Sequence, residues 1–206
     1  MGQFEVNMEE VQKLRPKWPT EQITLICGAD SGLKDLIGTS GYIILDPSGD
    51  NPLATGHSAK KQSDRTGSIT RQELLGHLAV VYWVAHLIQT LGEPGFPLDI
   101  QLVTDSQASI DIQENAEKVL GLKDVMKPEM DLALKITNRK KEIEWAGFTV
   151  IKIRSYIAQE EAQNESHWLV NDIADKLATE AREKVMITNF QFSPVQHCTT
   201  SYINST

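Results

Sequence analysis

Three apolar runs crowded into residues 23–58 constrain this chain more than any other feature. The first, Ile23-Thr24-Leu25-Ile26-Cys27-Gly28, is mostly apolar and partly β-branched, the composition of a buried strand, and it leads into Ala29-Asp30-Ser31-Gly32. After a short polar loop comes Ser40-Gly41-Tyr42-Ile43-Ile44-Leu45-Asp46. The turn residues Pro47-Ser48-Gly49-Asp50-Asn51-Pro52 then lead to the third run, residues 53–58. Runs this close, joined by turn chemistry, predict an antiparallel meander.

The chain then changes period. Over residues 70–91 Leu74, Leu78, Val81, Ala85 and Ile88 recur at three- and four-residue steps, joined by Leu75, Ala79 and Tyr82. The stripe is wide, as in a helix largely buried on a sheet, and Gly92, Pro94, Gly95 and Pro97 end it. A short strand at 100–104 and a helix at 106–117 come next. A second long helix is predicted over 128–145, with Pro128 near its first turn and Gly147 closing it. A last strand at 148–153, a polar loop at 154–168 and a helix at 171–184 complete the pattern. Strands that arrive after helical crossovers run parallel to the first, so the sheet is mixed and the class is α/β, with helices packed on the faces. Residues 1–20, polar and with Pro16 and Pro19, read as an N-terminal arm carrying a short helix at 8–14. The domain is placed at 21–186 and a Ser/Thr/Asn-rich tail at 187–206. Residues 59–68, with Lys60-Lys61, read as a loop.

A chain of 206 residues suffices for one domain with a full core. No apolar run approaches the roughly 20 residues of a membrane span, so no membrane partner is expected. Two cysteines, Cys27 and Cys198, imply no disulfide framework, and an intracellular setting, cytoplasmic or nuclear, is the expectation. A net charge of −8 argues against broad, non-specific binding of nucleic acid but leaves room for a local basic patch.

Four acids fall at chosen places in this element order. Asp30 ends the first strand and Asp105, in Val103-Thr104-Asp105-Ser106-Gln107, ends the fourth. If those strands are parallel neighbours, their ends lie roughly 5 Å apart, close enough for two carboxylates to share a metal. Glu73 lies early in the long helix, and Asp175 lies in Asn171-Asp172-Ile173-Ala174-Asp175-Lys176-Leu177-Ala178. Each has a local alternative: a turn residue for Asp30, a helix cap for Asp105, a capping box in Thr70-Arg71-Gln72-Glu73, and a solvated helix face for Asp175.

Together the four resemble the ribonuclease H family, on GADSG around Asp30, TRQELL around Glu73, VTDSQ around Asp105 and NDIADKLA around Asp175. The resemblance spans about residues 23–184. It implies a five-stranded mixed sheet ordered 3-2-1-4-5, and a metal-dependent endonuclease that cuts the RNA strand of an RNA–DNA hybrid by a two-metal mechanism. Asp30, Glu73, Asp105 and Asp175 would hold two Mg²⁺ ions, with Mn²⁺ as a substitute, which suits hard cations that prefer carboxylate, water and phosphate oxygens. Ser31, Thr70, Ser106 and Asn171 would face the substrate. A polymerase or reverse transcriptase domain is the implied protein partner. Many family members carry a histidine in the loop after the last strand; here Arg154-Ser155-Tyr156 opens that loop, and His167 farther along is the candidate, against the alternative of a solvent-facing histidine. The alternatives to hybrid cleavage are a non-catalytic interaction module on the same fold and a nuclease acting on another nucleic acid.

Overall fold

The computed structural model describes residues 2–61, 68–118, 121–143, 145–155 and 158–191. The meander is present as β2 (Thr24–Lys34), β3 (Ile37–Leu45) and β4 (Pro52–Lys61). β2 and β3 pair antiparallel from Cys27↔Ile44 to Lys34↔Ile37, and β3 pairs antiparallel with β4. The polar link expected between the first two strands is itself strand, reversed over two residues. Asp35 and Leu36 sit there at φ 52° and 60°, the left-handed pair that a tight hairpin with matching twist demands. Leucine is an unusual choice for that conformation, which is why residue types alone did not mark the turn.

β5 (Leu98–Thr104) runs parallel beside β2, and β6 (Ala146–Lys152) runs parallel beside β5. The five expected strands have the expected order, β4-β3-β2-β5-β6. A sixth precedes them: β1 (Gly2–Val6) pairs antiparallel with the outer edge of β4. The expected N-terminal arm is therefore part of the sheet and core. α1 (Met8–Leu14) comes after β1, and Val11, Leu14 and Trp18 are buried in the main apolar cluster, with the Trp18 indole donating to the Gly92 carbonyl at 2.8 Å.

Alternation along the strands makes two cores. Leu25, Ile44, Leu53 and Leu102 pack with Leu74, Val80 and Val84 of α2 (Ile69–Leu91) on one face. Ile43, Leu45 and Val103 pack with Val170 of α6 (Glu165–Gln191) on the other. By length and composition α2 does reach what a membrane span needs, contrary to the sequence expectation. Its Leu74, Val80, Val81 and Val84 are nonetheless fully buried in the domain, so its apolarity is that of a central core helix.

α3 (Gln107–Ala116) is as expected. The helix expected over 128–145 is shorter, α5 (Met130–Lys141), and is preceded by the single turn α4 (Leu122–Val125). Glu129, at φ 60°, breaks the helical path just after Pro128. α6 begins six residues before the expected 171, because Asn164 accepts the His167 backbone N–H at 2.9 Å and caps it. His167 is thus in the first turn of a helix and not in a loop. α6 also continues to Gln191, into the expected tail, and residues 59–61, expected to open a loop, are the end of β4; residues 192–206, residues 62–67 of that expected loop and Tyr156 lie outside the described residues.

Candidate active site

The sheet register brings the first two acids together. Gly28 on β2 is paired with Val103 on β5, so Asp30 and Asp105, each two residues farther along parallel neighbours, lie side by side. Asp105 follows the last residue of β5, whereas Asp30 does not end its strand as expected: β2 runs on to Lys34, and Asp30 is paired with Gly41 of β3. Glu73 joins them from the N-terminal end of α2, and carboxylate oxygens of Asp30, Glu73 and Asp105 all lie within 4.8 Å of one another. Asp175 of α6 lines the same cleft, an opening of about 190 Å³.

Two of the local alternatives, those for Glu73 and Asp105, are taken by other residues, while Asp175 is exposed on α6. The cap of α2 is Ser68, whose hydroxyl accepts the Arg71 N–H at 3.0 Å, which leaves Glu73 free of any capping box. The cap of α3 is Ser106, whose hydroxyl accepts the Ser109 N–H at 3.3 Å, so Asp105 is not that cap.

Glycines set how closely the helices approach. A Cβ on Gly28 would lie 2.2 Å from the Val170 carbonyl oxygen, and one on Gly41 would lie 2.2 Å from that of Ala174. α6 therefore rests directly on the backbone of β2 and β3, and Ala174, the residue before Asp175, is a point of contact.

The cluster is electrostatically costly. Burial, reinforced by the neighbouring Asp105 carboxylate, raises the Asp30 carboxyl to about 7 against the help of the Ser31 N–H. Burial, with Asp30 and Asp105 nearby, raises Glu73 to about 9. Glu73 is 3% exposed, yet its Oε2 has no hydrogen-bond partner, and the Ser31 hydroxyl and Asn171 Oδ1 in the same cleft are likewise buried without partners. A group of oxygen donors left unsatisfied and mutually repelling fits a hard divalent cation. Asp30, Glu73 and Asp105 could hold one such ion, and Asp175 across the cleft could add to a second.

Ser31 and Asn171 line the cleft as expected of substrate-facing residues. Thr70 does not, its neighbour Ile69 taking that position, and Ser106 is occupied in capping α3. His167 stands outside the acid cluster, in an adjoining groove, where its Nε2 lies 3.0 Å from the Gln101 amide oxygen on β5.

Residues missed in the sequence complete the walls: Arg154, Trp168 and Asp172 line the cleft, and the Ser155 hydroxyl donates to Asp105 Oδ2 at 2.6 Å. The Lys152 ammonium donates to the Asp105 backbone carbonyl. The register would have found Ser155. Thr104 pairs with Lys152, so the residues just past Lys152 on β6 flank Asp105.

No protein-family model matches the sequence, and no curated protein matches it. Solved structures do match. A ribonuclease H1 from the halophilic archaeon Halobacterium salinarum superposes with a TM-score of 0.51 at 16% identity, over 78% of this chain and 98% of that one. A compost-derived ribonuclease H1, solved in complex with an RNA/DNA hybrid, gives 0.52 at 16% identity, over 79% and 99%. The protease–reverse transcriptase of prototype foamy virus gives 0.52 at 10% identity, over 80% of this chain and 21% of that longer one. The chain has the ribonuclease H-like fold.

Proposed function

We propose that this ribonuclease H-like chain is a metal-dependent endonuclease that hydrolyses the RNA strand of an RNA–DNA hybrid. The observation that carries the reading is the meeting of Asp30, Glu73 and Asp105 within 4.8 Å, two of them buried, at the neighbouring interior strands β2 and β5 and the start of α2. The four carboxylates would hold two Mg²⁺ ions, or Mn²⁺ in their place, and such a pair supplies an activated water and stabilises the leaving oxygen of a phosphodiester.

The remaining roles belong to the side chains around the acids. Ser155 fixes one oxygen of Asp105 by its hydrogen bond and so leaves the other directed by geometry. Gly28 and Gly41 let α6 sit close enough for Asp175 to face the cleft. Arg154 brings a positive charge to a rim otherwise crowded with carboxylates, where it offsets a phosphate of the substrate. Ser31 and Asn171, which line the cleft, are the side chains placed to meet a 2′-hydroxyl, the feature that distinguishes RNA from DNA.

The surface favours a tethered enzyme. With a net charge of −8 the chain repels a polyanion as a whole, and fusion to a polymerase would raise the local substrate concentration. The test is cleavage of end-labelled hybrid, double-stranded RNA, double-stranded DNA and single strands, each with and without Mg²⁺. Metal-dependent cutting of the RNA in the hybrid alone supports the proposal. Cutting of another substrate instead replaces the hybrid with that substrate, and no cutting of any leaves a non-catalytic module.

A further inference from the structure

Beside the acid cleft lies a larger groove of about 590 Å³, which the proposed chemistry does not use. Its walls are the end of β6 and the residues just beyond it (Ile151 to Ser155), residues 161–164, and the first turn of α6 with His167 and Trp168. Ile153, Arg154 and Trp168 line both openings, so the groove and the acid cleft are continuous. Lys152 and Ser155, which hold Asp105 from its carbonyl and its carboxylate, are also groove residues.

The chemistry of the walls is specific. Trp168 and His167 supply aromatic surface, and Ile151 and Ile153 supply apolar surface. Gln163 and Asn164 place amides at the rim, and Lys152 and Arg154 bring cations to the side nearest the carboxylates. The His167 ring is fixed. Gln101 donates its amide N–H to Asp99 at 3.1 Å, which turns its oxygen toward His167 Nε2 at 3.0 Å. That pairing puts the ring proton on Nε2 and leaves Nδ1 an acceptor. Aromatic surface with amides and cations is how proteins hold unstacked bases, and a volume of this size exceeds what one base needs.

A base inside a continuous duplex cannot enter, because it is stacked and paired. We propose that this groove is a subsite for one unpaired nucleobase of the strand whose phosphate lies at the carboxylates, stacked on Trp168 and read at its edge by Gln163 and His167. The proposal rests on the nuclease reading and adds to it a preference, among hybrids, for those with an unpaired or terminal ribonucleotide next to the cut.

The test is equilibrium binding in EDTA, where nothing is cleaved. One hybrid carries a single-nucleotide RNA overhang, a second carries an abasic residue in its place, and a third is blunt. The overhanging base is expected to tighten binding about tenfold or more over the abasic hybrid, in the range that base–aromatic stacking gives, and to quench tryptophan fluorescence. Trp168→Phe should keep most of the affinity gain and lose the quench. Gln163→Ala, at an exposed position that folding does not need, should reduce the gain severalfold. Equal affinity for the overhanging and abasic hybrids, or a quench unchanged in Trp168→Phe, overturns the subsite. The two readings fail separately. Mg²⁺-dependent cleavage with no base-dependent binding removes the subsite alone, and base-dependent binding with no cleavage of any hybrid removes the nuclease alone.

Discussion

Replacing Gly41 by alanine probes how the fold positions the last carboxylate. The new Cβ would sit 2.2 Å from the Ala174 carbonyl oxygen and 2.7 Å from the Ala178 nitrogen, where ordinary contact begins at 3.4 Å. Relief requires α6 to move by about 1 Å, because both opposing atoms are helix backbone and no side chain can swing aside. Overpacking of this kind costs about 1–3 kcal/mol, which for a chain this size lowers Tm by roughly 3 to 10 °C. The functional effect is larger. Asp175 comes directly after Ala174, metal–ligand distances tolerate only about 0.2 Å, and a misplacement of about 1 Å costs about 100-fold in rate. Gly56→Ala is the control: the atoms nearest its Cβ would be those at the end of the Tyr42 ring, not α6, so it should lower Tm without that loss of rate. The assays are thermal unfolding and single-turnover hybrid cleavage of both variants. If Gly41→Ala keeps wild-type cleavage, or if both variants lose rate equally, the contact between α6 and β3 does not set the geometry of Asp175.

The same site carries further expected outcomes. Asp30 and Glu73 hold their protons more tightly folded than unfolded, so metal-free stability should fall as pH rises from about 4 through about 7 and on to about 9; Asp30→Asn should flatten the first part of that decline and raise metal-free stability at pH 8 by about 2–4 kcal/mol, measured by urea unfolding. A metal-free protein whose stability is level over that interval would show that the acids do not crowd. His167→Ala should leave the first turnover near normal, since the ring is tied to Gln101 away from the carboxylates; a loss in single-turnover rate equal to that of an acid variant would place it in the chemistry. Binding of a blunt hybrid by the isolated chain should be weak and shallow in its salt dependence, and a steep slope across a salt series would reveal many phosphate contacts.

Much of this arrangement was legible in the sequence because it depends on strand order and on a few residue types. Turn chemistry and β-branched runs marked the meander, and the parallel placement of β5 beside β2 put Asp30 next to Asp105 once the crossover was read. What escaped was set by contacts between distant segments. β1 does carry a strand pattern, the alternation Gln3-Phe4-Glu5-Val6, but it is short and runs straight into a helix, and its place in the sheet comes from pairing with β4. His167 looked like a loop residue because the capping role of Asn164, seven residues before the apparent start of the helix, was not recognised. The glycines against α6 have no local signature, since Gly28 and Gly41 lie in strands where glycine is ordinarily unfavourable and matter only for the helix that crosses them. Ser155 became visible only through the register of β6 with β5.

The most direct measurement is cleavage of a 5′-labelled RNA–DNA hybrid by the wild-type protein and by Asp105→Asn, monitored across a Mg²⁺ titration with Tm recorded in the same solutions. The wild type should cut the RNA strand only with Mg²⁺, and its Tm should rise with the ion, because only the folded site gathers the carboxylates. Asp105→Asn should fold, lose several orders of magnitude in rate, and gain little Tm from Mg²⁺. A folded Asp105→Asn protein that cleaves at near wild-type rate, or a wild type whose Tm and cleavage ignore Mg²⁺ throughout the millimolar range, would contradict a metal site built on Asp30, Glu73 and Asp105.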